Sequence, residues 1–457
     1  MKIVLLNPPA SHPKFVAPSD IEPHYPLGLL YIAAVLEIDG HDVSILDSVT
    51  MGPRTNISNA GEFVHFGATW EEIEAELSKL SPDVVGITNP YVTQFSNAIT
   101  AAEIAKKVNP KILTVVGGPH ATVRPQDFFE KTGSVDIVVI GEGEYTMSEI
   151  VRYLEGTVKL AEIQGIAYKE NDAFRVNPER PFIETLDQLP LPAYHLIDNG
   201  KYFIRTSRPL TIITSRGCPF NCVFCTVHLH MGKKWRAHST SYVLDHLEYA
   251  VQKLGIRNIS FVDDNLSLDT KRFVGILDGI IQRNLNIIWD TPNGIRADTM
   301  NRELVSKSKQ AGCFCFMMGV ESGDQVILDN MVQKSLDLSK VIEFSKLCKE
   351  ITIDMGAFFI IGFPGETKSN IEETLSFARM LNKEYKVMPM LGVATPYYGT
   401  ALYELSKAGN CLLDEPTPEN IMASADPGKG LIKTSDFCPE DLRTYYMNFY
   451  RGLILRF

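Results

Sequence analysis

Cys218, Cys222 and Cys225 stand in the run Ser215-Arg216-Gly217-Cys218-Pro219-Phe220-Asn221-Cys222-Val223-Phe224-Cys225, a C-x3-C-x2-C spacing. A cubane iron-sulfur cluster normally takes one thiolate on each iron, so three closely spaced cysteines with no nearby fourth leave one iron open to a ligand that is not protein. Chemistry would start at that vacancy. Two other uses of the run compete. Zinc would want a fourth Cys or His at regular spacing, and His228 and His230 are near enough to be weighed; a disulfide pair is the other.

Residues of chemical interest also gather wherever a short apolar run ends. In the first third of the chain these are Asn7-Pro8-Pro9, Thr88-Asn89-Pro90-Tyr91, Gly117-Gly118-Pro119-His120 and Gly141-Glu142-Gly143-Glu144. Further on they are Asp263-Asp264-Asn265, Asn293-Gly294-Ile295-Arg296, Gly319-Val320-Glu321, Ile361-Gly362-Phe363 and Thr395-Pro396-Tyr397-Tyr398. Glycine there lets backbone approach a large ligand, although a single glycine after a strand is more often only a turn. Arg296 offers a planar fork that matches a carboxylate, or pairs with Asp298.

The elements behind these positions alternate. Lys2 to Leu6, Asp42 to Leu46, Val84 to Thr88, Ile112 to Val116 and Asp136 to Ile140 read as strands, with helices near 27–38, 70–80, 96–108 and 145–155. Nearly continuous apolar strands separated by helices mean a parallel sheet buried on both faces. We therefore expect an α/β chain with an amino-terminal doubly wound, Rossmann-like domain over 1–156. A connector follows over 157–205, with a small hairpin (163–169 and 173–176) and then Pro178, Pro181, Pro190 and Pro192. Six more strands, beginning at Leu210, Asn258, Asn286, Cys313, Met355 and Val387, give a second βα domain over 206–400. A helical segment, 401–457, ends the chain; Met447 to Leu455 reads as core-packing in preference to a membrane-surface helix.

Composition bounds the rest. The 457 residues are 45% apolar and 22% charged, ordinary globular material. Eight cysteines, three of them in one run, make no disulfide framework, and a cluster needs a reducing compartment, so a cytoplasmic protein is expected. The apolar stretch that stops at Asn7 is too short for a signal peptide, and no apolar run approaches the ~18 residues of a spanning helix. A net charge of −11 argues against a nucleic-acid partner. Lys233, Lys234 and Arg236 around Trp235 are too few to make a basic patch.

The cysteine run, with Phe224 before its last cysteine, resembles the radical SAM superfamily, whose open iron is chelated by S-adenosylmethionine. Residues 1–156 look like the cobalamin-binding domain of its B12-dependent branch, through the Asn-Pro-Pro, Gly-Gly-Pro-His-Ala and Gly-Glu-Gly-Glu signatures. The resemblance implies a partial (β/α)6 barrel for the second domain and three cofactors: a 4Fe-4S cluster on Cys218, Cys222 and Cys225, S-adenosylmethionine and cobalamin. It implies S-adenosylmethionine contacts from Phe224, Asp263, Asp264, Asn265, Arg296, Glu321 and Gly362. Cobalamin contacts are implied for Asn7, Pro8, Thr88, Gly117, Gly118, His120, Gly141, Glu142 and Gly143.

Two departures stand out. The first strand is not followed by the Asp-x-His-x-x-Gly loop that supplies a histidine to cobalt in other cobalamin proteins; of His12, His24 and His120, none has that context, and His120 reads as a hydrogen-bonded loop residue ahead of a cobalt ligand. Tyr398 stands where the family's Pro-Tyr-Pro-Gly-Thr has its second proline. Cys313 and Cys315 flank one strand residue and should share a face; with Cys348, Cys411 and Cys438 they read as structural thiols.

The resemblance implies a methyltransferase that acts on an unactivated carbon through methylcobalamin and a 5'-deoxyadenosyl radical. A cyclisation, oxidation or rearrangement like that of the anaerobic magnesium-protoporphyrin ester cyclases is the alternative, and a cofactor-binding regulator without turnover is a third reading. Methylthiolation of transfer RNA is disfavoured because no cysteine precedes Cys218. A small-molecule, peptide or lipid substrate, bound between the two domains, and a reductant such as flavodoxin or ferredoxin are the expected partners.

Overall fold

The computed structural model describes residues 1–13, 23–51, 57–60, 63–202 and 209–453. They form two units: Met1–Arg208 with Leu229–Met231, and Pro209–His228 with Gly232–Phe457.

The first unit contains strands β1 (Lys2–Asn7), β2 (Ala10–Pro13), β3 (Asp42–Asp47), β4 (Ile57–Ala60), β5 (Phe63–Phe66), β6 (Val84–Thr88), β7 (Leu113–Gly117), β8 (Ile137–Val139), β9 (Ile166–Glu170) and β10 (Ala173–Val176). Its main sheet runs β10-β9-β8-β7-β6-β1-β3. The five strands from β3 to β8 are parallel, as their unbroken apolar runs require: Ile3, Val4, Leu5 and Leu6 are all buried, and successive residues face opposite helical layers. From β1 the chain crosses to β3 on one side and then returns to β6 on the other. The crevice at the carboxyl ends of β1 and β6 is therefore the topological switch point of the sheet.

The 163–176 hairpin is not free-standing. Strand β9 pairs antiparallel with β8, so the hairpin extends the main sheet. A small antiparallel sheet, β2-β5-β4, has no counterpart in the sequence reading.

The second unit is built on β11 (Leu210–Ile212), β12 (Ser215–Arg216), β13 (Arg236–Ala237), β14 (Asn258–Phe261), β15 (Ile288–Ile295), β16 (Cys313–Glu321), β17 (Asp354–Ile361) and β18 (Met388–Val393). Six of these form a parallel sheet in plain chain order, β11-β14-β15-β16-β17-β18. Constant-direction winding curls such a sheet into a barrel wall with all carboxyl ends at one rim. Trp289 anchors the core outside the wall, edge-on to Phe261, Phe273 and Phe316 and fully buried.

A register shift between β15 and β16 places Cys313 beside Trp289 and Cys315 beside Asp290, neighbours on alternate faces of β15. Phe314 is the extra residue between them, and both thiols stay within electrostatic reach of Cys348. Helix Pro439–Arg451 at the carboxyl end buries Leu442 and Phe449, and the Tyr450 hydroxyl accepts the Leu391 N–H at 2.9 Å. Ile454 and Leu455 lie outside the described residues. Among the described residues no helix is long and apolar enough to cross a membrane.

Candidate active site

The loop between β12 and β13 carries Cys218, Cys222 and Cys225 to the rim of the barrel sheet, where all three line one cavity of about 480 Å³. The loop is anchored through both backbone groups of Val223. The Val223 N–H donates to the Val332 carbonyl at 3.1 Å, and the Val223 carbonyl accepts the Leu402 N–H at 2.8 Å. Beneath it, Asp263 is buried and accepts the Thr214 hydroxyl at 2.7 Å together with the Ser215 hydroxyl and the Thr214 N–H. These bonds use both of its oxygens, so Asp263 holds the strand that leads to the cysteines and does not line the cavity.

Its neighbours do. Asp264 and Asn265 line the cavity, and Asn265 Nδ2 donates to Cys218 Sγ at 3.1 Å. Burial, and then the charge of Asp263, pushes Asp264 up to about 6. Burial likewise raises the Cys222 thiol and pushes Cys225 up to about 12. Three thiolates in such a place need cationic partners, which the irons of a cluster supply. Among the described residues no three His, Cys, Asp or Glu side chains converge tightly enough for a single metal ion. Three thiols lining one cavity match a cluster with one open iron, whereas tetrahedral zinc wants a fourth protein ligand.

Phe224 and Glu321 line the same cavity. Arg296 does too, but its donors are committed: Nε and Nη2 bind the Asp298 carboxylate at 3.0 and 2.7 Å, while Nη1 and Nη2 reach the carbonyls of Lys334 and Ser335 at 3.2 and 2.9 Å. Its flat face lies 3.8 Å from the Phe220 ring centre. Gly362, at φ +90°, is turned away from the cavity: a Cβ there would meet Leu442 Cδ1 at 2.7 Å, and its N–H is bound by Glu366 at 2.6 Å. Lys334, which nothing in the sequence singled out, is buried in the cavity wall, with Nζ 2.8 Å from Glu321 Oε1.

In the first unit a second cavity, of about 460 Å³, sits at the switch point, where Asn7, Pro8 and Thr88 meet His12, His24 and Tyr25. Asn7 is oriented from below. Its Nδ2 donates to the buried Asp47 carboxylate at 2.8 Å, which also accepts the Tyr202 hydroxyl, and burial pushes Asp47 up to about 6. Tyr25 stacks on Tyr202 at 4.2 Å, and its buried hydroxyl has no hydrogen-bond partner among the described residues. The Gln94 amide clamps the backbone of Ser11 through bonds of 2.8 and 2.9 Å, fixing the strand that carries His12. Burial lowers both imidazoles, and each is thereby biased to its neutral form. A largely apolar crevice with an orphaned hydroxyl and a few aimed amides suits one face of a large amide-bearing macrocycle.

The remaining expected residues of this unit lie outside that cavity. His120 is buried against Phe95 and Phe128, with Nε2 3.4 Å from Asp127, so its ring serves the core. Gly118, at φ +129°, packs so closely that a Cβ would lie 2.3 Å from the Asn89 carbonyl, and Gly117 is paired with Thr88 in the sheet. Gly141 donates to the Thr122 hydroxyl at 3.0 Å, Glu142 accepts the Ile183 N–H at 2.7 Å, and Gly143 precedes helix Glu144–Leu154. These residues bind the strand ends to one another.

The chain matches the family model of the B12 binding domain over residues 21–151 and that of the radical SAM superfamily over residues 212–378. It is 35% identical over 454 residues to a protein of Pyrococcus horikoshii named "Uncharacterized methyltransferase PH0819", covering 98% of this chain and 92% of that one. The cytidylyl-2-hydroxyethylphosphonate methyltransferase of Streptomyces wedmorensis is 30% identical over 407 residues, 81% of this chain and 75% of that protein. Among solved structures, the cobalamin-dependent S-adenosylmethionine radical enzyme OxsB, with aqua-cobalamin and S-adenosylmethionine bound, superposes with a TM-score of 0.74 at 20% identity, over 93% of this chain and 66% of that one.

Proposed function

Because the chain belongs to the radical SAM enzymes that carry a B12-binding domain, we propose that it is a cobalamin-dependent methyltransferase acting on an unactivated carbon of a small-molecule, peptide or lipid substrate. When bound, the 4Fe-4S cluster with S-adenosylmethionine supplies one-electron hydrogen abstraction, and the corrinoid supplies a transferable methyl group. The protein's own groups bind and orient. Cys218, Cys222 and Cys225 hold the cluster, the Asn265 amide bonds one of its sulfurs, and Asp264 and Glu321 offer carboxylates to the ammonium and ribose of S-adenosylmethionine. Asn7, Thr88 and Tyr25 border the corrinoid crevice.

The observation that carries this reading is the three-thiol cavity at the carboxyl rim of a parallel sheet, in a chain whose other sheet opens a crevice at its switch point. The methyl-transfer outcome is supported by the two relatives named as methyltransferases. Free thiols and the absence of a spanning helix among the described residues suit a reducing, cytoplasmic setting with flavodoxin or ferredoxin as reductant.

Anaerobic reconstitution followed by product analysis tests the reading. Iron near four per chain, bound cobalt, and release of both S-adenosylhomocysteine and 5'-deoxyadenosine are the expected results. 5'-Deoxyadenosine without S-adenosylhomocysteine would turn the assignment to the cyclisation or rearrangement branch. Zinc in place of iron would end it.

A further inference from the structure

The cavity at the barrel rim has two unlike sides. Its ionic groups come from one of them: Asp264, Arg296 and Glu321 at or just beyond the ends of β14, β15 and β16, and Lys334 after the π-helical turn Leu328–Val332. That side is closely fitted. Gln333 and Ser335 hold left-handed backbones, at φ 57° and 53°, and a Cβ on Gly319 would lie 2.5 Å from Glu321 Oε1 and 2.8 Å from Lys334 Nζ. Arg296 is committed to Asp298, and Lys334 is paired with Glu321.

The other side is made by β17 and β18. The cavity residues that these strands contribute, Phe358, Phe359, Ile360, Met390, Leu391 and Gly392, include no polar side chain. Strand alternation decides which of them face the lumen. Met355, Ala357, Phe359 and Ile361 of β17 and Pro389 and Leu391 of β18 are buried, so Phe358, Ile360 and Met390 take the opposite, inner face. Phe358 pairs with Met390 and Ile360 with Gly392 across the two strands, which makes one continuous apolar wall. Beneath it the thioether of Met317 crosses β17, for a Cβ on Gly356 would collide with its Sδ, and Met388 pairs with that same glycine.

This wall is unfilled. Met390 is 48% exposed, and a Cβ on Gly392 would find only the Phe359 carbonyl, at 3.7 Å. Flexible thioethers adapt to varied carbon skeletons, whereas a charge set against such a wall would be desolvated with no partner. Resting on the family reading above, we infer that the substrate presents an uncharged hydrocarbon skeleton, alkyl or aryl, to Phe358, Ile360 and Met390. These three side chains select against a phosphate or carboxylate beside the reacting carbon. Met390, the most exposed of them, is the specificity-determining residue.

Calorimetry on the anaerobically reconstituted full chain, saturated with S-adenosylmethionine, tests this with 1-octanol and 2-naphthol against octyl phosphate. The wild-type protein is expected to bind at least one uncharged probe about tenfold more tightly than octyl phosphate. Octanol alone supports an alkyl substrate, 2-naphthol alone an aryl one. Met390→Lys places an ammonium on the wall and should reverse the order, weakening the uncharged probes and tightening octyl phosphate by about tenfold each, with iron content and S-adenosylmethionine affinity unchanged. Gly392→Val, whose side chain grows into open space, should exclude the uncharged probes without creating a site for the phosphate. The inference is overturned if octyl phosphate binds the wild type as tightly as the uncharged probes, if neither uncharged probe binds, or if both variants leave every probe affinity unaltered. A wild-type protein whose reduced-cluster electron paramagnetic resonance spectrum ignores S-adenosylmethionine overturns instead the family reading on which the inference rests.

Discussion

At the scale of single residues, hydrogen bonding to the cluster sulfurs is the most accessible variable. The amide of Asn265 donates to Cys218 Sγ, and such a bond stabilises the more negative, reduced cluster. Asn265→Leu is expected to lower the reduction potential by on the order of 60 mV, the one-electron equivalent of a tenfold change, read by anaerobic spectroelectrochemical titration. Iron content should stay at the wild-type level. Replacing any one of Cys218, Cys222 and Cys225 by alanine is a different kind of change. It should drop iron below about one per chain and abolish S-adenosylmethionine cleavage, since two thiolates do not retain a cubane.

The elements owe their strength to turns as much as to strands. Between β17 and helix Lys368–Tyr385, Glu366 is buried, accepts the N–H groups of Gly362 and Phe363 at 2.6 and 2.8 Å, and has no partner for its other oxygen among the described residues. Burial outweighs those bonds and pushes it up to about 7, from a reference of 4.5. Below the unfolded value the group is protonated in both states and costs nothing; as pH rises through the folded value the native state must hold an unfavourable charge. Wild-type stability should therefore fall relative to Glu366→Gln between pH 4.5 and about 7, by roughly 3 kcal/mol, in denaturant titrations at stepped pH. Gly118→Ala should cost about 2–4 kcal/mol in the same assay, because a left-handed backbone and a 2.3 Å approach to the Asn89 carbonyl both forbid the methyl.

Much of this layer was readable beforehand. Helices 27–38 and 70–80 and strand 84–88 stand where the sequence puts them: the first is apolar nearly all round, the second is amphipathic with a capping box at Thr69, and the third is an unbroken apolar run. The sheet β2-β5-β4 escaped notice because its strands are four residues each and carry no alternating pattern. The thiols, Asp264, Asn265 and Glu321 could be found because their side chains sit at strand ends, where chemistry is expected. Lys334 could not. It follows a helical turn and owes its placement to backbone angles and to a glycine on another strand, neither of which leaves a pattern in sequence.

For the whole molecule, the two cavities are each lined within one unit, the thiols in the second and the switch-point crevice in the first. Loading of the two should therefore be separable. A Cys218→Ala/Cys222→Ala/Cys225→Ala triple variant, reconstituted with hydroxocobalamin and desalted, is expected to keep the corrinoid absorbance of wild type while lacking iron. Loss of both together would show that the crevice depends on the cluster.

The π-helical turn at Leu328–Val332 carries a consequence for how this chain can vary over time. A π turn is an α-helix with one residue too many, so deleting a single position between 328 and 332 would relax it to ordinary helix and swing everything downstream by roughly 100°. Lys334 would then point elsewhere, although no side chain at the rim had been altered. Homologous chains should accordingly tolerate exchanges of residue type along this stretch far better than changes in its length.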